Sequence, residues 1–220
     1  MNRNLIKSLL AIAITAAFAS TASAAVMEYT NETDFLNALG GSFYRNDFDD
    51  ITAPLASSET FSGNGIEYSI SANSSNLWLL DNKGIDGSHA ITITNPNDSI
   101  TISIEGGVYA IGGYFWSIDG NDNFASSSVT INLSTGDSYT FTPSTLQESF
   151  YGFISDDGMI SSLSLSGYSG RAPTLDNVTV SLSVPEPSTW ALVSLSLVGG
   201  LFFVARKPPR GRAITSVCKS

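Results

Sequence analysis

Apolar residues recur at every second position through most of this chain, and that period limits what it can fold into. Ile66, Tyr68 and Ile70 alternate with polar residues, as do Ile91 and Ile93, Ile100, Ile102 and Ile104, and Val129, Ile131 and Leu133. The pattern returns at Tyr139 and Phe141, at Leu163 and Leu165, and from Val178 through Val180 and Leu182 to Val184. A side-chain period of two belongs to a strand with one buried and one wet face. Asn95-Pro96-Asn97-Asp98 between two such runs is turn chemistry, with proline presetting the backbone. Gly106-Gly107, Gly112-Gly113, Asp119-Gly120-Asn121 and Thr135-Gly136-Asp137 punctuate the later strands. Only Thr30 to Leu39 reads as helix, with Asn31 or Thr33 as its cap, Phe35, Leu36 and Leu39 as its apolar stripe and Gly40 as its stop. Short strands at regular spacing predict an all-β, antiparallel β-sandwich with one short N-terminal helix, and the absence of an internal repeat favours a jelly roll.

Both ends depart from this pattern. At the start, Asn2-Arg3 and Lys7 form a basic stretch, Leu9 to Phe18 an apolar one, and Ala22-Ser23-Ala24 a small-residue cleavage site. Residues 1–24 are therefore expected to be a signal peptide, cut after Ala24. At the other end, Val184-Pro185-Glu186-Pro187 is followed by a run from Trp190 to Ala205 without a charged residue. That run approaches the roughly 17–25 residues of a spanning helix. Its glycines, Gly199-Gly200, are tolerated in membrane helices. Trp190 suits one interface, and Arg206, Lys207, Arg210 and Arg212 mark the cytoplasmic side. The expected organisation is a β-sandwich over 25–184, a motif, transmembrane helix and basic cluster over 185–212, and a cytoplasmic tail over 213–220.

This order of parts resembles the PEP-CTERM sorting signal, in which Pro-Glu-Pro precedes a membrane helix and a basic cluster. The resemblance implies a transient partner, an exosortase (a membrane-embedded transpeptidase of Gram-negative bacteria that make exopolysaccharide). It also implies an inner-membrane precursor and a mature form at the cell surface or outside the cell. In the body, Phe150-Tyr-Gly-Phe-Ile154, Ile160-Ser-Ser-Leu163 and Leu175-Asp-Asn-Val178 resemble the closing strands of lectin-like jelly-roll modules.

Charge excludes one class of partner. Between Ala25 and Val184 only Arg45, Lys83 and Arg171 are basic, against 19 acids, for a net charge of −16. Such a surface repels phosphate backbones, so nucleic acid is not an expected partner. The single cysteine, Cys218, lies beyond the apolar run, so no disulfide supports the body. About 160 residues bury roughly 70% of their unfolded surface, enough for one hydrophobic core.

The residues of common catalytic sites are missing. His89 is the only histidine, in the loop Asp86-Gly87-Ser88-His89, and no Gly-x-Ser-x-Gly elbow exists. The expected catalytic set is none. Metal chemistry has a better footing, because calcium takes six to eight oxygens. Asp47, Asp49 and Asp50 follow an early strand and Asp176 lies in the last one. First and last strands are often neighbours in a jelly roll, which makes these four the candidate ligands of a structural calcium. Asp119-Gly120-Asn121-Asp122-Asn123 is a second oxygen-rich loop. Aromatic residues offer a sugar-binding route, since sugar rings stack on exposed aromatic faces. Trp78, Tyr114 and Trp116 are the candidates, and alternation sends Tyr114 and Trp116 to one face and Phe115 to the other.

Three readings of function follow. The first is a non-enzymatic exported surface or extracellular-matrix protein, sorted by an exosortase and associated with extracellular polysaccharide. The second is a carbohydrate-binding module with a defined sugar site. The third is an exported glycoside hydrolase, which would need only a carboxylate pair.

Overall fold

The computed structural model describes residues 26–156 and 158–183. Its elements begin with β1 (Val26–Tyr29), α1 (Glu32–Leu39), β2 (Tyr44–Asn46), β3 (Ser58–Gly63), β4 (Ile66–Ala72), β5 (Leu77–Leu80) and β6 (Ala90–Ile93). They continue with β7 (Ser99–Val108), β8 (Ala110–Ile118), β9 (Phe124–Ala125), β10 (Val129–Leu133) and β11 (Ser138–Phe141). The last three are β12 (Phe150–Ser155), β13 (Ile160–Gly167) and β14 (Ala172–Ser181). Single 3-10 turns sit at Ile85–Gly87 and Gln147–Ser149.

Two antiparallel sheets form a sandwich. The first runs β1-β12-β8-β14-β6-β5, with β2 also against β14 and β9 against β8. The second runs β11-β10-β13-β7-β4-β3. The alternation read from sequence sets the faces of the second sheet. Ile70 lies opposite Ile102, Ile102 opposite Leu163, and Leu163 opposite Leu133, all of them buried. The intervening positions form a row of small polar side chains across six strands: Ser58, Ser71, Thr101, Ser164, Asn132 and Ser138. A parallel row joins Thr60, Ser69, Ser103 and Ser162. Aromatic rings tie the layers together, with Phe141 stacked on Tyr151 at 3.8 Å and Tyr139 tilted against Phe153 at 4.7 Å.

The middle of the first sheet is wetter in sequence than in structure, because both faces of β8 and β14 are covered. Every residue of β8 and β14 is buried. Helix α1 supplies part of the cover. It starts as expected, Asn31 Oδ1 accepting from the Asp34 amide at 3.1 Å, and ends at Gly40 in the left-handed region. Its Phe35 is fully buried over Gly112 and Gly152, where an added Cβ would meet the ring at 2.8 and 2.5 Å. This corrects the reading of Gly112-Gly113 as punctuation. The pair lies inside β8, and Gly112 is small because a helix packs on it. Among the described residues, no helix is long and apolar enough to cross a membrane. The expected signal peptide, with Ala22 and Ala24, lies outside the described residues. So does the tail, with Val184, Pro185, Glu186, Pro187, Arg206, Lys207, Arg210 and Arg212.

Candidate functional site

The early and last strands are neighbours, as anticipated. Asn46, Arg45 and Tyr44 of β2 pair with Val178, Thr179 and Val180 of β14. Further back, β14 pairs instead with β6, through Leu175 and Ile91. The change of neighbour falls at Asp176-Asn177, where the register against β8 also shifts and Asn177 takes a φ of 52°. A bulge here opens a gap, and the loop before β6 fills it.

Asp176 is fully buried in that seam. Its Oδ2 accepts from the Ile85 amide and the Ser88 hydroxyl, both at 2.8 Å, and its Oδ1 from the Asn177 amide at 2.6 Å. Burial pushes its carboxyl up to about 6, against the pull of these donors and of the Arg45 guanidinium. The next residue of the same loop is tied to the other acidic segment, since the His89 amide donates to Asp49 Oδ1 at 2.9 Å. Asp47, Asp49 and Asp50 themselves are exposed around Phe48, which is fully buried against Phe61 with a φ of 63°. Asp47 Oδ1 accepts from the Asp49 amide at 3.2 Å, a local turn. The four candidate calcium ligands are thus brought near one loop but not to one point. Among the described residues, no three acidic, histidine or cysteine side chains gather closely enough to hold a metal ion. Two oxygens of Asp176 already serve protein donors.

The three sugar-binding candidates separate sharply. Tyr114 is buried under α1, donating its hydroxyl to Glu32 Oε2 at 3.0 Å and meeting Phe150 edge-on at 5.3 Å. Burial and the Glu32 carboxylate push its phenol up to about 12. Trp116 is 1% exposed. Neither ring presents a face to solvent, which corrects their place in the candidate set. Alternation does send them to one side of β8, but that side is roofed. Trp78, in the edge strand β5, is 49% exposed.

Trp78 lines an open cleft of about 290 Å³, together with Thr94, Pro96, Asp119, Gly120 and Asp122. The structure therefore joins two features that the sequence kept apart, the tryptophan and the Asp119–Asn123 loop. That loop is internally braced. Asp119 Oδ1 accepts from the amides of Asn121 and Asn123 at 2.9 and 3.0 Å, which hold its carboxyl below the usual range. Lys83 Nζ donates to Asn123 Oδ1 at 3.2 Å. On the other side of Asp119, a second cleft is lined by Phe124, Tyr168 and Arg171. Tyr168 is 68% exposed, the most exposed large apolar side chain among the described residues. Sequence reading passed over Tyr168 and Arg171, although an aromatic inside Gly167-Tyr168-Ser169-Gly170, a run with no apolar neighbour, was a legible sign of an exposed ring.

Comparison with known proteins decides the tail. Residues 183–207 match the PEP-CTERM protein-sorting motif. The sorting signal is therefore present, over the segment that carries the Pro-Glu-Pro and the apolar run. No curated protein matches the chain. Among solved structures, the CBM22-1–GH10 modules of Clostridium thermocellum endo-1,4-beta-D-xylanase 10B, complexed with xylohexaose, align at a TM-score of 0.38 and 9% identity. That match covers 64% of this chain and only 28% of the other. CsCBM6-3 from Clostridium stercorarium, complexed with cellobiose, aligns at 0.31 and 12%, covering 60% of this chain and 100% of the module. A family 29 carbohydrate-binding module, CBM29-2, in a point-mutant form, aligns at 0.35 and 9%, covering 66% and 94%. Likeness at this level gives no basis for carrying a function across.

Proposed function

We propose that this protein is a non-enzymatic exported surface or extracellular-matrix protein, delivered through an exosortase and associated with extracellular polysaccharide. The observation that carries this reading is the sorting motif at 183–207. In it, residues 1–24 are a cleaved signal peptide and 25–184 the exported sandwich. The apolar run of the tail is a transmembrane helix that anchors the precursor in the inner membrane, with the basic cluster inside. A jelly-roll wiring of the sandwich belongs to the same reading. It draws support from a chain that changes sheet at β2–β3, β4–β5, β6–β7, β7–β8, β9–β10, β11–β12, β12–β13 and β13–β14.

The test replaces Pro185, Glu186 and Pro187 with alanine in the native host. The triple variant is expected to stay in the inner membrane with its tail uncut. Wild-type protein from the surface fraction is expected to yield no peptide beyond Ala191 by mass spectrometry. Recovery of the intact tail outside the cell overturns the reading.

A second reading, a carbohydrate-binding module, is favoured by one specific observation. Trp78 holds half of its surface in solvent while lining a cleft with carboxylates, the combination that stacks a sugar ring and binds its hydroxyls.

A further inference from the structure

We infer that the loop end of the sandwich carrying Trp78 and Tyr168 is a groove for an extended, neutral polysaccharide chain, with these two rings as separate stacking platforms on either side of Asp119. The inference rests on the proposed association with extracellular polysaccharide, and it adds the site and the chemical class.

Three clefts meet at this end, and they share their walls. Asp119 belongs to both the Trp78 cleft and the Tyr168 cleft. Pro96 and Gly170 belong to the Trp78 cleft and to a third one, which shares Ser169 with the Tyr168 cleft. The Trp78 and Tyr168 clefts are therefore neighbours, with Asp119 on the boundary between them. Such a pair of clefts suits a polymer rather than a single sugar. A large exposed aromatic ring is poorly placed in water, and two of them bounding one groove ask for a ligand with apolar faces spaced along its length.

The polar groups fit hydroxyls. Asp119 and Asp122 offer acceptors on the Trp78 side, while Arg171 offers a guanidinium on the Tyr168 side. Arg171 makes no ion pair within 4 Å among the described residues, so its donors are not spent on a protein carboxylate. A polyanion is disfavoured, since the body carries −16 and the groove itself holds carboxylates. The walls are also built before any ligand arrives. Asp119 holds its own loop through Asn121 and Asn123, the strand pair β8–β9 closes that loop, and the Arg171 amide bonds the Tyr168 carbonyl at 3.3 Å. A preformed groove loses little ordering entropy on binding.

The test uses the full chain purified in detergent, run by affinity electrophoresis through gels containing one soluble polysaccharide each. The neutral panel is hydroxyethylcellulose, xylan, glucomannan and dextran, and the acidic control is polygalacturonate. At least one neutral polymer is expected to retard the protein, and its hexasaccharide to bind roughly tenfold tighter than its disaccharide. Trp78→Ala and Tyr168→Ala are each expected to weaken binding roughly tenfold, with unchanged melting curves, and Trp78→Phe to restore most of it. Retardation by polygalacturonate alone overturns the neutral class. Neutral binding that survives both alanine variants overturns the groove and leaves polysaccharide association standing. No retardation by any polymer overturns the association as well.

Discussion

The carboxylate of Asp176 and the hydroxyl of Ser88 lie 2.8 Å apart across 88 residues of sequence. Their bond closes the seam where β14 exchanges β6 for β2 as its neighbour. Gly84 at the head of the same loop has no side chain, and a Cβ there would sit 2.5 Å from Asp176 Oδ2. The loop and the carboxylate have been fitted to each other.

Removing that carboxylate should be expensive. Asp176→Ala leaves the Ile85 and Asn177 amides without their acceptor, while the Ser88 hydroxyl keeps the Ile85 carbonyl, and each buried orphan costs about 1–3 kcal/mol. Urea melts are expected to show a loss of about 3 kcal/mol or more for Asp176→Ala and about 1 kcal/mol for Ser88→Ala. Equal, small losses for both would show that the seam is held elsewhere.

The same residue sets a pH dependence with an unusual sign. Its carboxyl titrates at about 6 when folded and near 3.8 when unfolded, so between these values the folded state holds more protons. Its contribution therefore falls as pH rises from about 4 to about 6, by an amount on the order of 3 kcal/mol. Below that window both states are protonated, and above it both are ionised. The difference in stability between wild type and Asp176→Asn, followed by urea melts from pH 4 to pH 7, should shrink or reverse across the window as the wild type weakens. A difference that grows in the wild type's favour as pH rises would show that the hydrogen bonds outweigh burial.

Helix α1 gives a packing test. Gly152→Ala places a methyl group 2.5 Å from the Phe35 ring, so the helix must lift or the ring must turn. A loss of about 1–3 kcal/mol is expected, as for other overpacked cores. Adding Phe35→Leu should recover part of it. Thermal melts of the single and double variants check this, and strictly additive losses would mean that the two sites do not press on each other.

Calcium response should not depend on Asp176. At about 0.15 M ionic strength, where exposed charges are screened, any rise in melting temperature with calcium over chelator is expected to be the same in wild type and Asp176→Asn. It should be lost when Asp47, Asp49 and Asp50 are all changed to asparagine. A response abolished by Asp176→Asn alone would return that residue to the ligand set.

How much of this was written in the sequence depends on the range of the interaction. The strands of the second sheet were legible because one face is dry and the other wet, as Ile100, Ile102 and Ile104 show against Thr101 and Ser103. The helix was legible from Asn31 and Gly40, whose roles are local. In β8 and β14 alternation carries little information, since burial on both faces removes the contrast between odd and even positions. Hence Tyr114 and Trp116 looked available to a ligand, although both are buried. The neighbouring of β2 and β14 followed from topology, but the committed bonds of Asp176 did not, because Ile85 and Ser88 are distant in sequence. Trp78 and Asp119 form one cleft for the same reason, and no spacing between them hints at it.

The rows of serine and threonine across the second sheet bear on how this protein lives among copies of itself. Carboxylates keep molecules apart by repulsion, which salt screens and acid abolishes. Hydroxyls do not titrate over that range and hold their hydration without charge. Where salt screens the exposed carboxylates, the face bearing Ser71, Thr101 and Ser164 remains as wettable as before. Colloidal dispersion then rests on that face.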